Sequence, residues 1–162
     1  FWALRAAAPL GAAMTFIALI TGSFWGKPTW GTWWEWDARI TSMLILFFLY
    51  LGVMALANAY QNTDNGNRAA SVLALVGTVN IPIIYMSVKW WNTLHQGATL
   101  KLTSASTIDP SMLQPLWVMI VGFYCLYAVL LLLNLRCEIL SNERNSRWLI
   151  DLFNAPSSRE KQ

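Results

Sequence analysis

Ile40 to Ala59 reads ITSMLILFFLYLGVMALANA, a run built almost wholly of Leu, Ile, Phe, Met and Ala and carrying no charged side chain. About 20 residues at a rise of 1.5 Å cross the roughly 30 Å hydrocarbon core of a bilayer, so this stretch predicts a transmembrane helix. Three further apolar runs of similar length accompany it, at residues 3–22, 69–88 and 116–135. Composition agrees: hydrophobic residues make up 56% of the chain and charged residues 12%, against about a quarter charged in a soluble domain. The charges gather in the connecting segments and the tail, as expected when one placed at mid-bilayer costs on the order of 3 kcal/mol. The fold class that follows is an all-α, polytopic integral membrane bundle with four transmembrane helices, a single membrane domain over residues 1–162. The net charge of +3 then reflects loop placement and implies no nucleic-acid partner.

Outward from Ile40, the chain turns at Gln61–Arg68 and re-enters the membrane through a run interrupted by Asn80 and Pro82, which is expected to pack inward near its end. Gly26-Lys27-Pro28 reads as a turn separating the first run from an aromatic segment. The chain begins at Phe1 without a methionine or a charged leader, and reads as mature, truncated or incomplete and not as carrying a signal peptide. Cys125 and Cys137 are about 18 Å apart along a helix, too far for a disulfide, and read as structural thiols. With four spans, the termini and the 61–68 loop hold seven Lys and Arg, while the loops 23–39 and 89–115 hold four. The positive-inside bias places the termini and the tail 136–162 inside and both aromatic loops outside.

Those outer loops hold the residues with chemical character. Trp25 to Arg39, WGKPTWGTWWEWDAR, packs five of the ten tryptophans into one stretch. On the assigned topology eight tryptophans lie outside and two, Trp2 and Trp148, inside. An aromatic belt populates both interfaces, so the asymmetry points to binding. A helical 30–37 segment would put Trp30, Trp33, Trp34 and Asp37 on one face, a flat indole platform suited to a large, planar, apolar ligand with edge charge, such as a porphyrin. Its propionates could reach Arg39 or Lys27. Asp37 has an equal claim to be the N-cap of the following helix, and Arg39 to be an interfacial anchor. The only histidine, His95, follows Trp90 and Trp91 in the second outer loop and is a candidate axial ligand to heme iron. A catalytic triad, a phosphate-binding glycine loop and a clustered metal set are all without support in the sequence. No catalytic residue is assigned from the sequence, and the chain is not expected to be an enzyme.

The run Trp30-Gly31-Thr32-Trp33-Trp34-Glu35-Trp36-Asp37-Ala38-Arg39, with its Ile-Thr-Ser continuation, resembles the tryptophan-rich signature of the heme-handling family called cytochrome c maturation protein C or heme exporter protein C. Pro82-Ile83-Ile84 and Ser87-Val88-Lys89-Trp90-Trp91-Asn92-Thr93-Leu94-His95-Gln96 are similar to a second signature of that family. The resemblance implies a multi-pass protein of a bacterial or mitochondrial inner membrane. It would bind heme b transiently on the periplasmic or intermembrane-space face and present it for covalent attachment to a membrane-anchored heme chaperone, as part of a complex with an ABC-type ATPase and its membrane subunits. Carried over by position, it implies heme contacts from Trp30, Trp33, Trp34, Trp36, Asp37, Arg39, Trp90 and Trp91, with His95 as one axial ligand. The family pattern has six spans and a first external histidine in a His-Val-Pro segment. This chain starts at what would be the third helix, so the second axial ligand is absent from it. Glu35 stands where the family has an apolar residue and is expected to face away from the heme. Two readings from other classes, a small-molecule or ion transporter and a structural subunit of a membrane complex, predict respectively polar residues inside the spans, where only Asn80 and Asn134 qualify, and no bound chromophore.

Overall fold

The computed structural model describes residues 1–60, 64–91, 93–95 and 108–143, and every regular element among them is an α-helix. The helices are α1 (Trp2–Trp30), α2 (Ala38–Ala59), α3 (Asp64–Trp90) and α4 (Pro110–Glu143). Each is long and apolar enough to cross a membrane, and the protein is an all-α polytopic membrane protein. All four outrun the apolar stretches that announce them. At 1.5 Å per residue the 29 residues of α1 measure about 43 Å, well beyond the roughly 30 Å core. Hydropathy reports where lipid is, whereas the backbone ladder continues into the headgroup layer.

Side chains shared between helices show the topology. Phe16 of α1 stacks on Phe47 of α2 at 5.6 Å, and Asn80 of α3 donates from Nδ2 to Ser42 O of α2 at 2.9 Å. Asn134 of α4 donates to Ala6 O of α1 at 3.3 Å. Arg5 pairs with Glu138 at 3.4 Å and donates to Asn58 Oδ1 at 3.5 Å. The helices therefore run up, down, up, down, with α1 between α2 and α4 and α3 on the outer side of α2. The start of α1 and the end of α4 share one end of the bundle.

Lipid removes the hydrophobic drive for helices to associate, so close approach of small residues and interhelical hydrogen bonds must hold them together. The buried apolar residues are accordingly small: Ala6, Ala8, Ala12, Val53, Ala57 and Ala70. At Gly11 an added Cβ would run into the ring of Tyr50. The large apolar side chains face outward, as they must in lipid. Asn80 is only 8% exposed, as its inward packing predicts, and Pro82 lies inside a continuous α3. Because Asn80 and Asn134 both use their amides as interhelical glue, the polar lining that a transporter would need is not formed by them. Cys125 and Cys137 are free and exposed.

Two boundaries differ from expectation in ways that matter for the site. The turn expected at Gly26-Lys27-Pro28 is helical. Pro28 lacks the N–H that would bond the carbonyl of Phe24 and crowds that carbonyl, yet the helix continues through it to Trp30. Gly31 ends it, with φ 80° in the left-handed region and its N–H on Lys27 O at 3.0 Å. Pro115, expected in a loop, lies inside α4. Trp148, residues 96–107 of the 89–115 loop and residues 144–162 of the tail lie outside the described residues.

Candidate functional site

The last two turns of α1, beyond the apolar run at residues 3–22, carry Trp25 and Trp30. The indole of Trp30 leans back over Gly26, where a Cβ would sit 3.3 Å from the ring, and meets Trp25 edge to face at 5.2 Å. Residues 31–37 then fold back as an irregular turn held by side-chain hydroxyls. Ser23 Oγ donates to Trp33 O at 2.6 Å, and Thr32 Oγ1 donates to Trp34 O at 2.9 Å. The helical face expected for residues 30–37 is thus not formed. Once the left-handed Gly31 breaks the register, Trp30, Trp33 and Trp34 no longer share a face. Neighbouring rings meet steeply: Trp25–Trp30 and Trp34–Trp36 at 82° and 72°, and Phe24–Trp33 at 85°, the edge-to-face geometry that ring quadrupoles favour.

Asp37 closes the turn and opens α2. Its backbone is extended, φ −91° and ψ 168°, and Oδ1 accepts from the Ile40 N–H at 2.8 Å, so the N-cap reading holds. The other oxygen, Oδ2, lies 2.6 Å from Nδ1 of His95, and an ionised carboxylate there can only accept. Trp30 packs against the same ring at 4.6 Å and 69°. The His95 N–H donates to Thr93 Oγ1 at 3.2 Å. His95, 58 residues away in sequence, is thereby seated between the end of α1 and the start of α2.

Beside it lies a cavity of about 420 Å³, within the range typical of small-molecule sites. Its α1 wall carries Ala18, Thr21, Gly22, Ser23 and Trp25. Ile40, Met43 and Arg39 come from α2, with Trp34 and His95 completing it. Trp34 Nε1 is buried and has no hydrogen-bond partner. Arg39 has no ion-pair partner among the described residues. Lys27, by contrast, donates to Gly31 O at 3.0 Å and lies 5.9 Å from the Trp33 ring, which makes it part of the helix cap.

Of the residues singled out from the sequence, Trp34, Arg39 and His95 line this cavity. Asp37 and Trp30 hold His95 from behind. Trp33, Trp36, Trp90 and Trp91 are exposed, Trp36 at 72%, and lie outside the lining. Glu35 is exposed and also outside it. Trp25 and Met43 were not anticipated. Ala18, Thr21, Gly22 and Trp25 share a face at helical spacing, a signal hidden by ending the helix too early.

Four helices long and apolar enough to cross a membrane, with an aromatic, histidine-bearing cavity at one end of the bundle, define a polytopic membrane protein. Comparison with known proteins narrows this. The chain belongs to the heme exporter protein C family, whose model matches residues 1–150. It is 54% identical over 151 residues to heme exporter protein C of Escherichia coli strain K12, covering 93% of this chain and 60% of that protein. Identity to the Bradyrhizobium diazoefficiens protein of that name is 56% over 158 residues, covering 98% of this chain and 60% of the relative. With the Haemophilus influenzae protein it is 49% over 147 residues, covering 91% and 60%. The chain thus spans about 60% of the length of these relatives.

Proposed function

We propose that this chain is a heme-handling membrane component of c-type cytochrome biogenesis, in a bacterial or mitochondrial inner membrane. It holds heme b as a transient substrate on the external face and presents it to a membrane-anchored heme chaperone, within a complex containing an ABC-type ATPase. One observation carries the reading: the only histidine of the chain is seated beside a cavity lined by two indoles, a cation and small side chains. Indoles of Trp25 and Trp34 offer apolar, polarizable surface to a porphyrin. The guanidinium of Arg39, without an ion-pair partner among the described residues, suits a propionate. The walls at Ala18 and Gly22 let a flat ligand approach α1 closely. His95 supplies an imidazole nitrogen to the iron, and a second axial imidazole would come from outside these residues.

The protein's part is to bind, orient and ligate, while the covalent chemistry belongs to the heme vinyl group and the partner's histidine. The family relationship supports the substrate class, and the excess of Lys and Arg at the opposite end supports placing the aromatic end outside. Membrane-reconstituted protein loaded with heme is the test. His95→Ala is expected to lower bound heme at least tenfold and to shift its visible spectrum. A variant with unchanged heme content and Soret band overturns the ligand assignment.

A further inference from the structure

Asp37 lies in the tryptophan-rich motif, yet it does not line the cavity. Its side chain is 5% exposed, and each oxygen has one partner among the described residues. Oδ1 accepts from the Ile40 N–H, and Oδ2 lies 2.6 Å from His95 Nδ1. The carboxylate is anchored by a helix N-terminus, where the first-turn N–H groups and the helix dipole favour a negative charge. It is therefore a fixed, buried acceptor aimed at one nitrogen of one imidazole. In a neutral imidazole the nitrogen that donates and the nitrogen that ligates are different atoms, and the hydrogen bond of one decides the role of the other.

We propose that Asp37 is a positioning residue that holds the proton of His95 on Nδ1, leaving Nε2 as the ligating nitrogen. The two ring nitrogens point to nearly opposite sides, so an Nδ1 directed at Asp37 turns Nε2 away from it. Trp30 against the ring and Thr93 on the backbone N–H oppose rotation out of this pose. An anionic acceptor behind an imidazole also makes the far nitrogen more basic and a stronger ligand. Proton placement stands on geometry alone. Its consequence for the iron rests on the heme reading above.

Because His95 is the sole histidine, histidine-selective ¹⁵N labelling of protein carrying no histidine tag yields a single pair of imidazole resonances. Heme-free protein in lipid nanodiscs is expected to show the Nδ1–H tautomer. Asp37→Ser keeps a hydroxyl to cap the Ile40 N–H but falls short of His95, and is expected to revert to the Nε2–H tautomer that exposed imidazoles favour, with unchanged helical circular dichroism. Should the serine variant misfold, Asp37→Asn, an equally good cap with one carbonyl oxygen for two donors, is expected to lose the same proton preference. An Nε2–H wild type, or an Nδ1–H tautomer that survives a folded Asp37 variant, overturns the proposal. In heme-loaded protein the serine variant is expected to bind heme about 10-fold to 100-fold more weakly and to raise the heme midpoint potential. If His95→Ala binds heme normally, the heme reading fails while the tautomer result stands. If His95→Ala loses heme and Asp37→Ser alters neither affinity nor potential, the positioning role fails.

Discussion

Gly11→Ala is the sharpest probe of how the bundle is held. A Cβ built on Gly11 falls 2.5 Å from Tyr50 Cε1 and 2.9 Å from its hydroxyl oxygen, whereas carbon atoms rest comfortably about 3.5–4.0 Å apart. The ring must therefore retreat by roughly 1 Å. Overpacking of this kind costs about 1–3 kcal/mol, while replacing an interior helical glycine by alanine gains about 1 kcal/mol in propensity. In the wild-type background the substitution should be neutral to destabilising by about 2 kcal/mol. In a Tyr50→Ala background the clash is gone and only the gain remains, so the same change should stabilise by about 1 kcal/mol. A double-mutant cycle on reversible unfolding in mixed micelles reads the difference as a coupling of about 1–3 kcal/mol. A coupling below about 0.5 kcal/mol would show that α1 and α2 do not approach through this pair, and would refute the small-residue account of their packing.

Two other expectations follow from caps. Gly31→Ala puts a side chain on a left-handed residue with open space around its Cβ; the loss is therefore a backbone term of about 1–2 kcal/mol, and Gly31→Asn should restore much of it, as unfolding midpoints would report. Asp109 precedes α4 and accepts from Ser111 Oγ at 2.6 Å and the Ser111 N–H at 2.9 Å. The hydroxyl first and the amide second hold its carboxyl below the usual value of 3.8. A depressed folded-state pKa contributes stability above the unfolded value and loses it as pH falls through the folded one, so the Ser111 amide signal should hold its shift until the pH drops below about 3.8 and then move. The same acid response in Asp109→Asn would exclude this cap as its origin.

The four helices were legible because lipid makes charge so expensive that the apolar runs stand out. Their ends were not, since hydropathy stops at the headgroups. Gly26-Lys27-Pro28 looked like a turn, yet the helix passes through Pro28 and ends at the left-handed Gly31. Asp37 could be read as an N-cap from its place before the apolar run. Its bond to His95 could not, because no local periodicity links residues 58 apart. Trp34, Arg39 and His95 were within reach of residue chemistry. That Trp33 and Trp36 face outward depends on an irregular turn set by Ser23 and Thr32 hydroxyls, which leave no periodic trace.

The overhang of α1 carries a constraint on length. Trp30 reaches His95 only because Gly22 to Trp30 continue one unbroken helix out of the membrane. Inserting or deleting a single residue there would rotate Trp30 by about 100° and displace it by about 1.5 Å along the axis, swinging it off the imidazole while the buried part of α1 kept its place. Substitutions in this segment can be absorbed one side chain at a time, but a change in residue count cannot. The segment works as a ruler as much as a scaffold, and chains that share this arrangement should vary there in composition and not in length.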